Sequence, residues 1–141
     1  MIDARTAPYG ALLLRVVLGA QFIAHGLMKV LVLTIPGTVA FFVSIGFPAF
    51  VAYLVIVAEC GGGLALILGW WTRWMALALA AEMIGAVVYH WHNGWLFTAP
   101  GGGWEYPAVW TAALLALFLL GDGPFALAGR RGRGARPQEG R

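Results

Sequence analysis

Charged residues are scarce in this chain of 141 residues. They make up only 11% of it, whereas 61% of the residues are hydrophobic. A water-soluble domain of this size needs more polar surface than that to cover its core. The composition therefore excludes a soluble globular domain, indicates an integral membrane protein and leaves no room for a second folded domain.

Cysteine is nearly absent as well. Cys60 is the only one, so a single chain can form neither an internal disulfide nor a CxxC redox pair. Cys60 follows Glu59 in the sequence and is most simply interpreted as a small apolar residue. Binding motifs for haem, flavin and iron–sulfur clusters are also missing, so the sequence has no independent catalytic motif.

Four apolar runs are long enough to cross a bilayer. They cover residues 9–33, 47–70, 74–90 and 105–121, each near the roughly 17 to 25 residues that a transmembrane helix requires. Helix is favoured because lipid cannot satisfy free backbone groups and the runs lack the alternation of barrel strands. The predicted fold is an all-α membrane protein, a bundle of four transmembrane helices.

A shorter apolar run separates the first two predicted spans. Pro36 and Gly37 are expected to break the helix, and the run that follows them is too short to span. We interpret it as a short interfacial segment between helices 1 and 2 that could cover the bundle.

Basic residues predict the orientation. Arg5 precedes the first span and Arg73 separates the second from the third, whereas the segments 34–48 and 93–104 contain no Lys or Arg. Five further arginines follow the fourth span, namely Arg130, Arg131, Arg133, Arg136 and Arg141. The positive-inside rule therefore predicts a multi-pass protein with both termini in the cytoplasm.

The end of the chain differs in composition from the rest. Residues 128–141 are basic and contain few apolar side chains, so they are predicted to form a disordered cytoplasmic tail beyond a transmembrane domain of residues 1–127. Next to a membrane helix, its arginines favour anionic lipid over nucleic acid as the binding partner.

Several ionisable residues fall inside the apolar runs, where a charge is costly unless it is paired or faces a polar interior. Glu59 lies eleven positions from both Pro48 and Trp70, near the predicted midplane, so it must be paired or protonated. Arg15 is its predicted partner because a guanidinium binds a carboxylate through two hydrogen bonds. Glu82 lies at a comparable depth in the third span. Structural pairing and proton handling remain alternatives for both acids.

The first predicted helix has a polar face. Gln21, His25 and Lys29 follow one another at intervals of four, and Arg15 falls on the same arc. Lys29 is close to the outer end, where its side chain either snorkels to the headgroups or turns inward. The sequence thus predicts a polar site between the helices, with the candidate residues Arg15, His25, Lys29, Glu59, Glu82, His90 and Glu105.

Nitrogen and oxygen ligands for a metal could also converge from different helices. His25 and His90, with the three glutamates, are suitable ligands for iron, zinc or manganese. The Glu-x-x-His pairs of carboxylate-bridged metal sites are absent, however. Hydrogen-bonded histidines are the simpler interpretation, and no metal site is predicted.

A series of spaced motifs runs along most of the chain. The motifs are R-x-x-x-G from Arg15, H-G-L-x-K from His25, IGFP ending at Pro48, AECGGGLALILGWWTR from Ala58, HWHNGW from His90, GGWEYP from Gly102 and GDGPFAL from Gly121. In this order, over about residues 10–127, they resemble the DoxX family of small bacterial membrane proteins. By motif position, the resemblance marks Arg15, His25, Lys29, Glu59, His90 and Glu105 as candidate site residues, whereas Glu82 enters from its depth alone.

The resemblance implies a four-helix protein of the bacterial inner membrane. Relatives occur as subunits of thiosulfate:quinone oxidoreductases, and others are associated with oxidative-stress and thiol-handling complexes. It therefore implies an accessory or small subunit of a membrane redox system, with a quinone or a sulfur species as the ligand of the polar site and with redox partner subunits or a second copy of the chain as partners.

Two other function classes remain open. The polar interior could serve a small carrier or channel, although no inverted repeat is recognisable. Alternatively, the chain is a non-catalytic assembly module of the membrane, in which Gly61, Gly62 and Gly63 mediate close helix contacts and the buried charges fix the helix register.

Overall fold

The structure, a computed structural model, describes residues 3–127, and all regular structure within that range is helical. The predicted all-α fold is thus confirmed, while the predicted basic tail lies outside the described residues. The part of the chain that the structure describes contains five α-helices, namely α1 (Ala7–Leu31), α2 (Ile35–Ser44), α3 (Phe50–Leu68), α4 (Thr72–His90) and α5 (Glu105–Leu120).

Three of these helices are long and apolar enough to cross a membrane. They are α1 with 25 residues, α3 with 19, and α4 with 22 when the 3-10 turn Trp91–Asn93 that extends it is included. Residues 105–121, predicted as a fourth span, contain the shorter apolar helix α5, whose 16 residues measure about 24 Å at 1.5 Å per residue. The predicted short segment between the first two spans is the ten-residue apolar helix α2.

Local chemistry explains where α2 and α3 begin and end. The expected helix break at Pro36 and Gly37 is wrong. The chain turns earlier, at Thr34, whose φ is +63° and whose side chain accepts a hydrogen bond from the Gly37 amide at 3.2 Å. Pro36 then lies in the first turn of α2, where its missing N–H costs nothing. α3 ends at Leu68, and the next residue, Gly69, caps it with a left-handed φ of +68°.

The first and third helices, α1 and α3, pack as antiparallel neighbours. A Cβ atom on Gly19 of α1 would lie 2.6 Å from the Gly63 carbonyl oxygen, and one on Gly63 would lie 2.7 Å from the Gly19 carbonyl oxygen. The two backbones therefore touch, as the sequence predicted for this glycine stretch. Gly61 differs, since a Cβ there would meet nothing within 4 Å.

The bundle has two distinct ends. We call the one that holds the α1–α2 and α4–α5 connections the connection end, and the one that holds the α3–α4 turn and residues 121–127 the terminal end. At the terminal end the chain returns to its beginning, because a Cβ on Gly123 would lie 2.7 Å from the carbonyl oxygen of Pro8. Between the two ends lies a core built by α1, α3, α4 and α5 from Leu18, Phe22, Leu66, Ala76, Leu79, Ala80, Met83, Leu114 and Leu117.

Candidate functional site

A buried ion pair joins α1 to α3. The ammonium group of Lys29 lies 2.8 Å from Oε1 and 2.7 Å from Oε2 of Glu59, so both carboxylate oxygens accept a hydrogen bond from it. The two side chains are only 16% and 3% exposed. Lys29 therefore turns into the bundle, and the alternative that it snorkels to the headgroups is wrong.

The helix that carries Glu59 is locally widened. Residues Ala58–Gly62 form a π-helical turn inside α3, a distortion that occurs frequently at functional sites. Opposite this turn, a Cβ on Gly26 would lie 2.5 Å from the Cys60 sulfur and 3.3 Å from the Glu59 Cβ. Because any side chain at position 26 would clash, only glycine there lets α1 approach α3 so closely. This close approach brings the Lys29 side chain within reach of Glu59.

Arg15 lies elsewhere, so its predicted pairing with Glu59 is wrong. The register of α1 against α3 explains this. Gly26 meets Cys60 and Gly19 meets Gly63, which leaves Arg15 beside Gly69 at the terminal end. Its guanidinium is buried and donates from Nη2 to the Pro124 carbonyl oxygen at 3.2 Å. Nε and Nη1 have no hydrogen-bond partner among residues 3–127.

The loop after α4 fixes the ring of His90. Its Nδ1 lies 3.1 Å from the carbonyl oxygens of both Gly101 and Gly102, and the Asn93 side-chain amide donates to the same two oxygens at 3.0 Å and 2.9 Å. Carbonyl oxygens only accept, so we assign the ring proton to Nδ1. The competing contact, from the Asn93 amide to Nδ1, is longer at 3.4 Å. Nε2 is then the ring atom that offers a lone pair.

Two cavities meet at the ion pair. The apolar cavity, of about 360 Å³, is lined mainly by Phe41, Phe42, Ile45, Phe47, Val51, Val55, Ala81, Gly85 and Tyr89, together with Glu82. The polar cavity, of about 400 Å³, is lined by Gln21, His25, Tyr106, Pro107 and Trp110. Lys29, Glu59, Met83, Ala86 and His90 line both cavities.

The structure brings together five of the seven predicted site residues. These five, which line one or both cavities, are His25, Lys29, Glu59, Glu82 and His90. Glu82 shares the apolar cavity with Glu59 and Lys29. The rings of His25 and Trp110 pack edge-to-face, with 5.0 Å between the ring centroids.

Arg15 and Glu105 line neither cavity. Arg15 is beside Gly69 at the opposite end of the bundle. Glu105 starts α5, where its Oε2 accepts a hydrogen bond from the Phe97 amide at 3.2 Å. It therefore holds the loop between α4 and α5 in place.

Sequence reasoning missed the aromatic walls of both cavities. Phe41, Phe42 and Phe47 come from α2 and the turn after it, and nothing in their spacing indicates a cavity. The position of Trp110 in the sequence could have identified it as a cavity residue. It lies well inside α5, whereas other tryptophans, such as Trp70 and Trp104, flank helix ends. Among residues 3–127, no group of three or more His, Cys, Asp or Glu side chains is arranged to hold a metal ion.

Comparison with known proteins gives a consistent set of relatives. The family model DoxX matches residues 10–92. The chain is 42% identical over 79 residues to "Putative oxidoreductase CatD" of Bacillus subtilis (strain 168), a match that covers 56% of this chain and 58% of that protein. It is 35% identical over 82 residues to "Inner membrane protein YqjF" of Escherichia coli (strain K12), which covers 57% of this chain and 62% of that protein. The matches thus span less than two thirds of either relative, and no solved structure matches.

Proposed function

Because this chain belongs to the DoxX family, we propose that it is a multi-pass inner-membrane protein that serves a membrane redox system as an accessory or small subunit. The names of two relatives support this proposal, since one is named as an oxidoreductase and the other as an inner membrane protein. In the proposed organisation, residues 1–127 form the DoxX-like domain and residues 128–141 a basic cytoplasmic tail.

The path of the chain supports four membrane crossings. If α1, α3 and α4 cross the membrane, the end of α4 is on the opposite side from the start of α1. The segment after α5 nevertheless packs against Pro8 at the start of α1, so α5 must bring the chain back. In this arrangement α2 lies in the interface at the connection end, and its apolar side chains cover the bundle.

Basic residues support the orientation. Arg5 and Arg73 lie at the terminal end, and the two connections at the opposite end contain no Lys or Arg. The terminal end, and with it both termini, is therefore assigned to the cytoplasm.

The observation that carries the redox proposal is the meeting of two cavities at the buried Lys29–Glu59 pair. Ionisable groups inside a membrane bundle are costly and mark functional sites. Here Glu59 and Glu82 can hold and pass protons, Lys29 can donate a hydrogen bond and His90 can accept one. A quinone fits this arrangement because its ring is apolar and its carbonyl oxygens accept hydrogen bonds. A continuous channel fits less well, since Leu18, Phe22 and Leu66 fill the bundle between the site and the terminal end.

Purification in mild detergent tests this proposal. We expect protein isolated from quinone-containing membranes to retain a quinone, detected by extraction and mass spectrometry, and to bind added decylubiquinone. K29M should lose the quinone, whereas the control R5M, which removes a cation far from the cavities, should keep it. A folded wild-type protein that neither retains nor binds a quinone would overturn the proposal.

A further inference from the structure

The apolar cavity has the properties of a selective binding site. We infer that it binds a neutral, lipid-soluble aromatic molecule that carries a hydroxyl or carbonyl group, and that this molecule arrives sideways from the bilayer. The inference rests on the site of the proposed function and names its ligand class, but it does not require a redox reaction.

Charge balance around the cavity determines the charge of the ligand. Among residues 3–127, Lys29 is the one cation that lines the apolar cavity, and Glu59 already neutralises it at 2.7 Å and 2.8 Å. Glu82 is a second acid that lines the same cavity as the pair. An anionic ligand would be a further acid around one cation in a medium of low dielectric constant, which is unfavourable. The cavity therefore suits a neutral molecule and not a carboxylate or a sulfur oxyanion.

The polar end of the cavity selects the head group. An ammonium group has three donors, and Glu59 takes two of those of Lys29, which leaves one for a ligand oxygen. His90 offers its Nε2 lone pair, because the Gly101 and Gly102 carbonyls engage Nδ1. A hydroxyl group carries both the acceptor that the lysine requires and the donor that the histidine requires, whereas a carbonyl group carries the acceptor alone.

The walls of the cavity select an aromatic body. Phe41 packs edge-to-face against Phe42 and Tyr89, with ring centroids 5.6 Å apart in both cases, and Phe42 packs against Phe47 at 6.2 Å. Such a wall offers ring edges and faces to a further ring. The cavity volume of about 360 Å³ is at the small end of ligand pockets, which hold roughly 300–1,000 Å³, so it suits a small ring system.

Access comes from the lipid side. Phe41, Phe47 and Tyr89 line the cavity and are 44%, 51% and 42% exposed, so the cavity wall is open rather than sealed within the bundle. In a membrane these exposed aromatic side chains meet lipid. The polar cavity, with Gln21, His25 and Tyr106, reaches the same ion pair by a separate route that suits water and protons.

A matched pair of probes tests the inference. 2-Naphthol and 2-naphthoate share one ring system, but only the second is an anion at neutral pH. We expect 2-naphthol to bind the full chain in lipid nanodiscs, measured by equilibrium dialysis against empty nanodiscs, and 2-naphthoate to bind at least about tenfold more weakly, a difference of about 1.4 kcal/mol. Equal or tighter binding of the anion would overturn the inference.

A blocking variant locates the probe. Gly85 lines the apolar cavity, and a Cβ there would meet nothing within 4 Å, so G85L fills the cavity without a backbone clash. We expect it to weaken 2-naphthol binding at least about tenfold. G10L is the matched control, because Gly10 also faces open space in a helix and lines neither cavity. Unchanged binding to a folded G85L protein would contradict the inference.

The outcomes separate this inference from the proposed function. Binding of 2-naphthol that G85L abolishes, in a protein that neither retains nor binds a quinone, supports the ligand class and overturns the redox role. Quinone binding that G85L leaves unchanged supports the redox role and overturns the assignment of the apolar cavity.

Discussion

Lys29 and Glu59 depend on each other, because neither charge has another partner that the hydrogen bonds of residues 3–127 reveal. A buried ion pair adds little stability over an apolar pair, but a lone buried charge is costly. The pair is therefore better explained as a device that places charge next to two cavities than as a source of stability.

Removing one member of this pair should cost more stability than removing both. We expect K29M and E59Q each to lower the free energy of unfolding, K29M by about 3–5 kcal/mol because it leaves a bare carboxylate. The double variant K29M/E59Q should recover most of that loss, since it leaves no lone charge. The measurement is thermal or denaturant unfolding in detergent.

E105Q is the control for the ion pair. Its amide oxygen can still accept the hydrogen bond from the Phe97 amide, so stability should hardly change. A double variant as unstable as K29M alone would show that the side-chain volumes, and not the charges, account for the loss.

Position 69, beside the Arg15 guanidinium, has no room for a side chain. Its φ of +68° disfavours any side chain, and a Cβ there would overlap Nη1 of Arg15. We expect G69A to destabilise the protein by at least about 1 kcal/mol from the left-handed backbone alone, with a further loss from the displaced guanidinium.

G10A serves as the control for G69A. Gly10 is helical and faces open space, so alanine there should leave the protein unchanged or stabilise it, by up to about 1 kcal/mol. The measurement is the midpoint of thermal unfolding in detergent, compared between G69A and G10A. Equal midpoints would contradict the tight packing of Arg15 at the terminal end.

The short helix α2 is attached to the bundle through Thr38. The buried hydroxyl of Thr38 donates to the Lys29 carbonyl oxygen at 2.9 Å. That oxygen belongs to the last turn of α1, where carbonyls lack partners within the helix. Lys29 thus forms the ion pair through its side chain, and its backbone carbonyl anchors α2, which forms part of the wall of the apolar cavity.

T38V should loosen this attachment. Valine keeps the volume but removes the donor, so we expect a loss of about 1 kcal/mol and faster amide hydrogen exchange confined to α2. The control is S44A, because the Ser44 hydroxyl bonds the exposed Phe41 carbonyl within its own helix. Exchange in α2 that is equally slow in T38V and in the wild type would contradict this role of Thr38.

Helix positions were predictable to within a few residues for a physical reason. Long apolar runs bounded by proline, glycine and arginine leave few places for a membrane helix to start or stop. Thus α1 covers Ala7–Leu31 where residues 9–33 were predicted, and α4 begins at Thr72 where residue 74 was predicted. The π-helical turn at Glu59 was not predictable, because it depends on how α1 packs against α3.

The bundle as a whole determines the topology. Residues 121–127 return to the start of α1, so the described chain begins and ends at the same end of the bundle. We expect a fluorescent protein fused after Arg141 to be active in the cytoplasm, and alkaline phosphatase fused after Pro100 to be active outside it. Activity of alkaline phosphatase at both positions would contradict the assigned orientation.

The sequence by itself determined the class of the molecule. A composition of 61% hydrophobic residues leaves only a membrane environment, and motifs in a fixed order indicated the family. It also identified the ionisable residues of the candidate site, because such residues are so unfavourable inside apolar helices that His25, Lys29, Glu59, Glu82 and His90 stood out.

Only the tertiary structure decided which of these residues meet. Arg15 and Lys29 are both cations on one face of α1, and periodicity cannot tell which is level with Glu59. The close approach of Gly26 to Cys60 and of Gly19 to Gly63 sets that register, so Lys29 reaches the carboxylate and Arg15 does not. The two cavities likewise arise only where α2, α3, α4 and α5 pack around the pair, because a cavity is a property of several helices and not of one.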